Sequence, residues 1–155
     1  MALRYLLDTN ICIYIRGKQP KVVARFEKLQ PGETAISIIT YGELAYGAAK
    51  SAHPERAIAG LERLIAALPV LSLPLEAGEV YGPLRAMLEK QGRIIGPNDL
   101  WIAAHALASG LILVSNNERE FKRVKGLKVE NWAPPNSRST SGRIEMLRPG
   151  GYRRT

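Results

Sequence analysis

Near its start the chain reads Arg4-Tyr5-Leu6-Leu7-Asp8-Thr9-Asn10, a short apolar run that ends in three oxygen-bearing side chains. An unbroken apolar run of this length is typical of a strand that is buried on both faces of a parallel sheet. Asp8 would then stand at the carboxyl end of the strand, which is where open α/β sheets place their functional sites. This stretch therefore predicts the fold class and one site residue together.

Further along, strand-like runs alternate with helical patterns. The other predicted strands are residues 34–39, 70–73, 111–114 and 128–131. Pro20 and Pro54 suit the first turns of helices, and the most apolar helix is predicted from Pro97 to Ser109, with a stop at Gly110. Strands that alternate with helices predict an α/β fold, with a mostly parallel sheet and helices on both faces.

The bulk properties suit one globular domain. The chain has 155 residues, 46% of them hydrophobic, which is enough to bury a sizeable core. A single cysteine, Cys12, excludes an intramolecular disulfide and favours a reducing compartment. The longest uncharged apolar stretch, residues 64–75, is interrupted by Pro69 and Pro74 and is too short to span a bilayer. We therefore expect a cytoplasmic protein without a membrane partner.

The positive charge is unevenly distributed. The net charge is +8, and residues 133–155 contain five arginines and one glutamate, which is half of the total. Charge alone thus permits a nucleic-acid partner without demanding one. Residues 133–155 are also polar, contain prolines and lack periodicity. We predict a domain over residues 1–132 and a basic C-terminal appendage over 133–155, either a native arm or a cloning-derived sequence.

Acidic residues follow the predicted strands. The chain has only two aspartates, Asp8 and Asp99, and Asp99 opens the apolar helix. Glu43 follows the second strand by one turn, and Asn117 follows the fourth. Clustered carboxylates repel one another unless they are protonated or neutralised by a cation, and hard oxygen ligands select Mg²⁺ or Mn²⁺. The pattern predicts metal-assisted hydrolysis of a phosphate ester.

Each acid also has a purely structural interpretation. Asp8 could cap the helix that begins near Asn10. Thr40 and Glu43 fit the spacing of a capping box, and Asp99 would interact favourably with a helix dipole. These alternatives remain open for each acid singly. They are weaker jointly, because one edge of the sheet then collects three acids with few basic neighbours.

Other kinds of site fit the sequence less well. His53 and His105 lack Cys or His partners at zinc-ligand spacing, and we expect His105 to be a hydrogen-bonded core histidine. Cys12 lies in an apolar context and is expected in the core. The phosphate-binding glycine motifs are missing. A phosphatase using Asp8 would need a second acid at position 10, which is Asn10.

Four short motifs occur in a fixed order. They are Leu6-Leu7-Asp8-Thr9-Asn10, then Thr40-Tyr41-Gly42-Glu43-Leu44 with Gly47, then Ile95-Gly96-Pro97-Asn98-Asp99 ahead of Ile102-Ala103-Ala104-His105-Ala106, and Leu113-Val114-Ser115-Asn116-Asn117 ahead of Phe121. Any one of them is weak. In this order and spacing, the four resemble the signatures of PIN-domain proteins and, more narrowly, of the VapC toxins of bacterial type II toxin–antitoxin pairs. The resemblance covers residues 2–132.

The resemblance implies a fold and a set of site residues. The fold is a PIN-like parallel five-stranded sheet flanked by helices, with a magnesium site at its carboxyl edge. Asp8, Glu43 and Asp99 match the three principal acids of the family. Asn117 stands where many members carry a fourth acid, and it keeps an oxygen acceptor while giving up the charge. The hydroxyls of Thr9 and Ser115 would orient the acids.

The resemblance also implies an activity and partners. It implies an endoribonuclease toxin, dependent on Mg²⁺ or Mn²⁺, that cleaves structured RNA such as a tRNA or rRNA loop and thereby inhibits translation. A cognate VapB-like antitoxin would neutralise it, and helices of the N-terminal half would form a homodimer. The candidate RNA-contacting residues are Arg93, Arg119, Lys122, Arg123 and Lys125. The alternative is a non-catalytic PIN-like RNA- or protein-binding domain, which the intact acids disfavour.

Overall fold

The computed structural model describes residues 2–135. Five parallel strands form one sheet in the order β3-β2-β1-β4-β5. The strands are β1 Tyr5–Leu7, β2 Thr34–Ser37, β3 Val70–Leu71, β4 Ile112–Val114 and β5 Val129–Glu130. The helices are α1 Thr9–Arg16, α2 Pro20–Glu27, α3 Ile38–Ala49, α4 Pro54–Ala67, α5 Leu75–Lys90, α6 Pro97–Ser109 and α7 Glu118–Phe121. The predicted α/β fold with a five-stranded parallel sheet is confirmed.

The central strand β1 lies between two hydrophobic cores. Successive side chains of a strand point to opposite faces of the sheet. Leu7 accordingly packs in one core with Ile36, and Leu6 packs in the other with Leu113. All three residues of β1 are buried, as expected for a parallel strand covered by helices on both sides. The rigid setting of β1 fixes the position of Asp8, which follows it directly.

The second strand is shorter than predicted. It ends at Ser37, whose hydroxyl accepts a hydrogen bond from the Ile39 amide at 3.2 Å and caps α3. Ile38 and Ile39 therefore belong to the helix, although their β-branched apolar side chains read as a continuation of the strand. The capping-box alternative for Thr40 and Glu43 is wrong for the same reason, because Thr40 already lies inside α3.

Helix α6 spans the predicted residues. Pro97 occupies its first turn, and Gly110 follows its end with φ of 65°, the left-handed conformation that glycine adopts without strain. Leu100 and Ile102 are buried in the second core, as the nearly continuous apolar sequence predicts. This packing holds Asp99 at the first turn of the helix.

The C-terminal part of the domain packs onto one face of the sheet, in the core that contains Leu7. The Trp132 ring makes an edge-to-face contact with Tyr5, with 5.5 Å between centroids. The Arg25 guanidinium lies 5.3 Å from the centroid of Trp132, and packing continues through the buried Ala133. Residues 136–155 of the predicted appendage lie outside the described residues. In the described part of the chain, no helix is long and apolar enough to cross a membrane.

Candidate active site

Asp8 begins the site at the carboxyl end of β1. Its amide donates to the Val114 carbonyl at 3.0 Å, which ties it to β4. Its Oδ1 accepts a hydrogen bond from the Ile11 amide at 3.1 Å and caps α1. The structural interpretation of Asp8 as a helix cap is therefore correct. A carboxylate offers about four lone-pair sites, so a buried cap retains the capacity to bind a cation as well.

Glu43 connects the surroundings of the two aspartates. The Thr9 hydroxyl donates to Glu43 Oε1 at 2.5 Å, and the Asn98 amide donates to Oε2 at 3.5 Å. Thr9 directly follows Asp8, and Asn98 directly precedes Asp99. The two hydrogen bonds thus bring the first turns of α1 and α6 to the middle of α3. The predicted orienting role of Thr9 corresponds to this contact with Glu43.

Asp99 is buried at the third position of α6, with 7% of its surface exposed. Its place in the first turn lets the helix dipole stabilise the carboxylate. Asp8 is fully buried as well. Burying carboxylates removes the water that would solvate their charge, and a bound cation offsets that cost.

The segment after β4 forms a buried polar turn. Ser115 accepts a hydrogen bond from the Asn117 amide at 2.9 Å, so its hydroxyl shapes the turn. The Asn10 side-chain amide donates to Asn116 at 3.1 Å, and Asn116 donates to the Tyr14 hydroxyl at 3.2 Å. These bonds lock α1 to the segment that carries Asn117. The role of Tyr14 was not predicted, because in sequence it belongs to the apolar face of a helix.

A fourth acid, Glu120, lies beside Asn117 and was not predicted from the sequence. The Asn117 side-chain amide donates a hydrogen bond to the Glu120 carboxylate. Residues three apart share one face of a helical turn, and α7 begins at Glu118. That spacing was the signal that could have identified Glu120. The negative charge that Asn117 lacks is therefore present on the neighbouring side chain.

The acids of this region differ in how they could serve a metal ion. In the part of the chain that the structure describes, no group of three or more His, Cys, Asp or Glu side chains is arranged so that it could hold a metal ion. Glu43 is engaged by Thr9 and Asn98. By type, the oxygens of Asp8 and Asp99 suit Mg²⁺ or Mn²⁺, since hard cations prefer carboxylates. The described side chains do not assemble the predicted three-carboxylate ligand set, and binding of an ion by the two aspartates stays a prediction.

His105 and Cys12 belong to the core, as expected. His105 Nδ1 lies 2.9 Å from the Ser37 hydroxyl, and burial lowers the pKa of the imidazole. Cys12 is fully buried, and burial raises the pKa of its thiol. A thiol held neutral in this way is a poor nucleophile.

The predicted RNA-contacting residues surround α7. Arg123 Nη1 donates to the Ile94 carbonyl at 2.8 Å, and Lys122 Nζ lies 4.0 Å from a Glu118 oxygen. Arg93 and Arg119 are exposed. Arg123 thus anchors the loop before α6, which limits its reach toward a ligand. Contacts of the other side chains with RNA remain predictions.

Comparison with known protein families identifies the family of this chain. The model of the PIN domain matches residues 5–127. The chain belongs to the PIN-domain family. It is 48% identical to ribonuclease VapC2 of Haemophilus influenzae over 84% of this chain and 98% of that protein. It is 47% identical to the tRNA(fMet)-specific endonuclease VapC of Shigella flexneri, over 84% and 99% respectively.

Solved structures agree. A crystal structure of DNA-bound VapBC from Salmonella typhimurium contains a chain with a TM-score of 0.80 and 42% identity, covering 84% of this PIN-domain chain and 99% of its own. The PIN-domain and VapC resemblance read from the four motifs is therefore confirmed, and with it the assignment to a family of ribonucleases. About a sixth of this PIN-domain chain lies outside the alignments with these relatives, which cover 84% of it.

Proposed function

We propose that the chain is a metal-dependent endoribonuclease toxin that uses Asp8, Glu43, Asp99 and Glu120. The observation that carries the proposal is the placement of Glu43, which is hydrogen-bonded to Thr9 and to the neighbour of Asp99. These bonds join α3 to Thr9 and Asn98, the chain neighbours of Asp8 and Asp99, and Asp8 stands at the carboxyl end of β1, where α/β folds bind ligands. The membership of the PIN family supports the assignment.

Each side chain has a definite task in this proposal. A bound Mg²⁺ or Mn²⁺ ion supplies charge stabilisation at the scissile phosphate and acidifies water. Asp8 and Asp99 would hold that ion. Glu43 would hold the attacking water and accept its proton, with Thr9 keeping the carboxylate in place. Glu120, in contact with Asn117, adds negative charge that favours binding of the cation.

Structured RNA such as tRNA is the proposed substrate, and its cleavage would inhibit translation. The Shigella relative is named as specific for tRNA(fMet). Exposed cations at Arg93 and Arg119 suit contacts with phosphates, which supply much of the affinity for nucleic acids. Lys122, Arg123 and Lys125 extend the same surface. Splayed loop nucleotides are the form in which proteins usually recognise RNA sequence.

A cognate VapB-like antitoxin is the proposed partner, because the solved Salmonella relative is a VapBC assembly. It would neutralise the toxin by occupying the active-site groove. A homodimer through helices of the N-terminal half also remains a proposal. The exposed apolar side chains Ile38 and Tyr46 on α3 support it. Sedimentation at micromolar concentration would distinguish a dimer from a monomer.

Cleavage of total tRNA tests the function. We expect wild-type protein to cut tRNA with Mg²⁺ and to lose activity with EDTA. Asp8→Asn and Asp99→Asn should remain folded and inactive, because each removes a charge from the proposed ion site. A small phosphomonoester should not be hydrolysed. Cleavage that persists in Asp99→Asn would contradict the site, and intact tRNA with wild type would favour the non-catalytic RNA- or protein-binding alternative.

A further inference from the structure

A cavity of about 780 Å³ lies between α1, α2 and α4. Its volume is in the range of sites that bind small molecules. Phe26 and Leu64 contribute apolar surface, and four cationic side chains line it, namely Arg16, Lys18, Arg56 and Arg63. No carboxylate of the described residues contributes to the lining. The cavity therefore combines an apolar wall with an excess of positive charge.

The best-placed cation at this α1–α4 cavity is Arg16, whose guanidinium contacts α4. Arg16 Nη2 donates to the Ala57 carbonyl at 3.4 Å. The guanidinium lies over Gly60, where a Cβ would come within 2.6 Å of Nη2, so the glycine makes room for it. Within residues 2–135, no ion pair involves Lys18, Arg56 or Arg63. Like charges gathered in a concavity attract an anion.

We propose that the α1–α4 cavity holds one nucleotide of the substrate RNA at a position outside the cleaved bond. The base would pack on Phe26, and phosphates would contact Arg16, Arg56 and Arg63. Aromatic rings and guanidinium groups are the side chains that proteins use to hold unstacked bases. This inference rests on the proposed function, because it assigns a second contact to the same substrate.

The distance between the two sites agrees with such a contact. Helix α1 has eight residues and carries Asp8 at its beginning and Arg16 at its end. At 1.5 Å per residue it spans about 12 Å. The nucleotide in the cavity would therefore lie within a few positions of the scissile phosphate along the same strand.

A nucleotide fits the lining better than an acidic polypeptide. It presents a flat apolar base and a charged phosphate within one small unit, which match the Phe26 ring and the arginines of the lining. An acidic side chain would pair with the cations but would offer no group that packs on the Phe26 ring. The two occupants differ in a measurable way, since only RNA binding involves stacking on Phe26.

Binding of fluorescently labelled tRNA tests this proposal. The variants Arg56→Gln/Arg63→Gln and Phe26→Leu are placed in the Asp99→Asn background, which prevents cleavage. Lys90→Gln/Lys128→Gln removes the same charge from exposed positions outside the cavity. We expect the double arginine variant to bind several-fold more weakly, with a slope of log K against log salt that is shallower by about 1.4 relative to the control.

The Phe26→Leu variant should bind about tenfold more weakly with an unchanged slope, because it removes a ring and no charge. Thermal melts verify that each variant is folded. Affinity and slope equal to those of the lysine control would overturn the proposal. So would loss of binding to poly-L-glutamate with tRNA binding intact, since the cavity would then take acidic polypeptide. Failure of wild type to cleave tRNA is a separate result and speaks against the function alone.

Discussion

At the scale of single residues, structural and chemical roles coincide in the same side chains. Asp8 caps α1 through one oxygen, and it is also the candidate metal ligand at the end of β1. Thr9 begins α1 while its hydroxyl holds Glu43. A sequence motif therefore supports both interpretations at once, and the contacts between distant residues decide how they combine.

Glu120 is the most informative single position. Glu120→Gln keeps an oxygen that can accept from Asn117 and removes only the charge. We expect cleavage to fall about 10- to 100-fold with more Mg²⁺ needed for half-maximal rate, as for other residues that support a metal site. Glu118→Gln on the same helix affects only the contact with Lys122 and should change the rate less than about twofold. Equal rates for the two variants would exclude Glu120 from the site.

His105 predicts a pH dependence of stability. Burial holds the pKa of its imidazole below the unfolded value of 6.5, so the unfolded chain takes up the proton first as pH falls. The stability contributed by neutral His105 is fully present above about 6.5 and is lost as pH falls from there toward the lower folded pKa. Denaturant titrations of His105→Gln should show a weaker decline over this window. An identical decline would mean that other groups cause it.

At the scale of elements, Gly60 offers a test of how the Arg16 side chain contributes to stability. Alanine in the interior of a helix is about 1 kcal/mol more favourable than glycine. Gly78 lies in α5 with open space around it, so Gly78→Ala should show that gain. Gly60→Ala should show less, because its Cβ must displace the end of the Arg16 side chain. The difference between the two gains in free energy of unfolding, determined in urea, measures what the Arg16 side chain contributes to stability. Equal gains would mean that it contributes nothing.

Elements with strong local signals could be predicted from sequence. Helix α6 has a first-turn proline, a following glycine and an apolar sequence between them, and its bounds are as predicted. The end of β2 could not be located, because Ile38 and Ile39 suit a strand while the Ser37 cap starts a helix. Local preference and capping compete there, and the cap prevails.

The site could be predicted from sequence only at the positions that belong to recognisable motifs. Asp8 and Glu43 follow predicted strands, and Asp99 opens the apolar helix α6. Glu120 gives a weaker signal, because its spacing of three residues from Asn117 lies at a helix of only four residues. The contact of Arg16 with α4 was also out of reach, because it joins residues more than forty positions apart.

At the scale of the whole molecule, residues 136–155 carry half of the net charge of +8. These residues hold five arginines and one glutamate. We expect a chain that ends at Pro135 to keep its melting temperature, because Ala133 is the last core residue among residues 2–135. Its tRNA affinity should depend less on salt, by up to about 3.5 in slope if every arginine contacts a phosphate. An unchanged slope would show that these residues do not contact RNA.

In the proposed function, the acids at the carboxyl edge of the sheet bind a divalent ion and thereby support cleavage of RNA. Single-turnover cleavage of tRNA, measured against Mg²⁺ concentration for wild type and Asp99→Asn, tests it most directly. The account predicts a saturable rise with Mg²⁺ in wild type and no cleavage by the folded variant at any concentration. Cleavage by wild type that is independent of Mg²⁺, or equal cleavage by the variant, would contradict it.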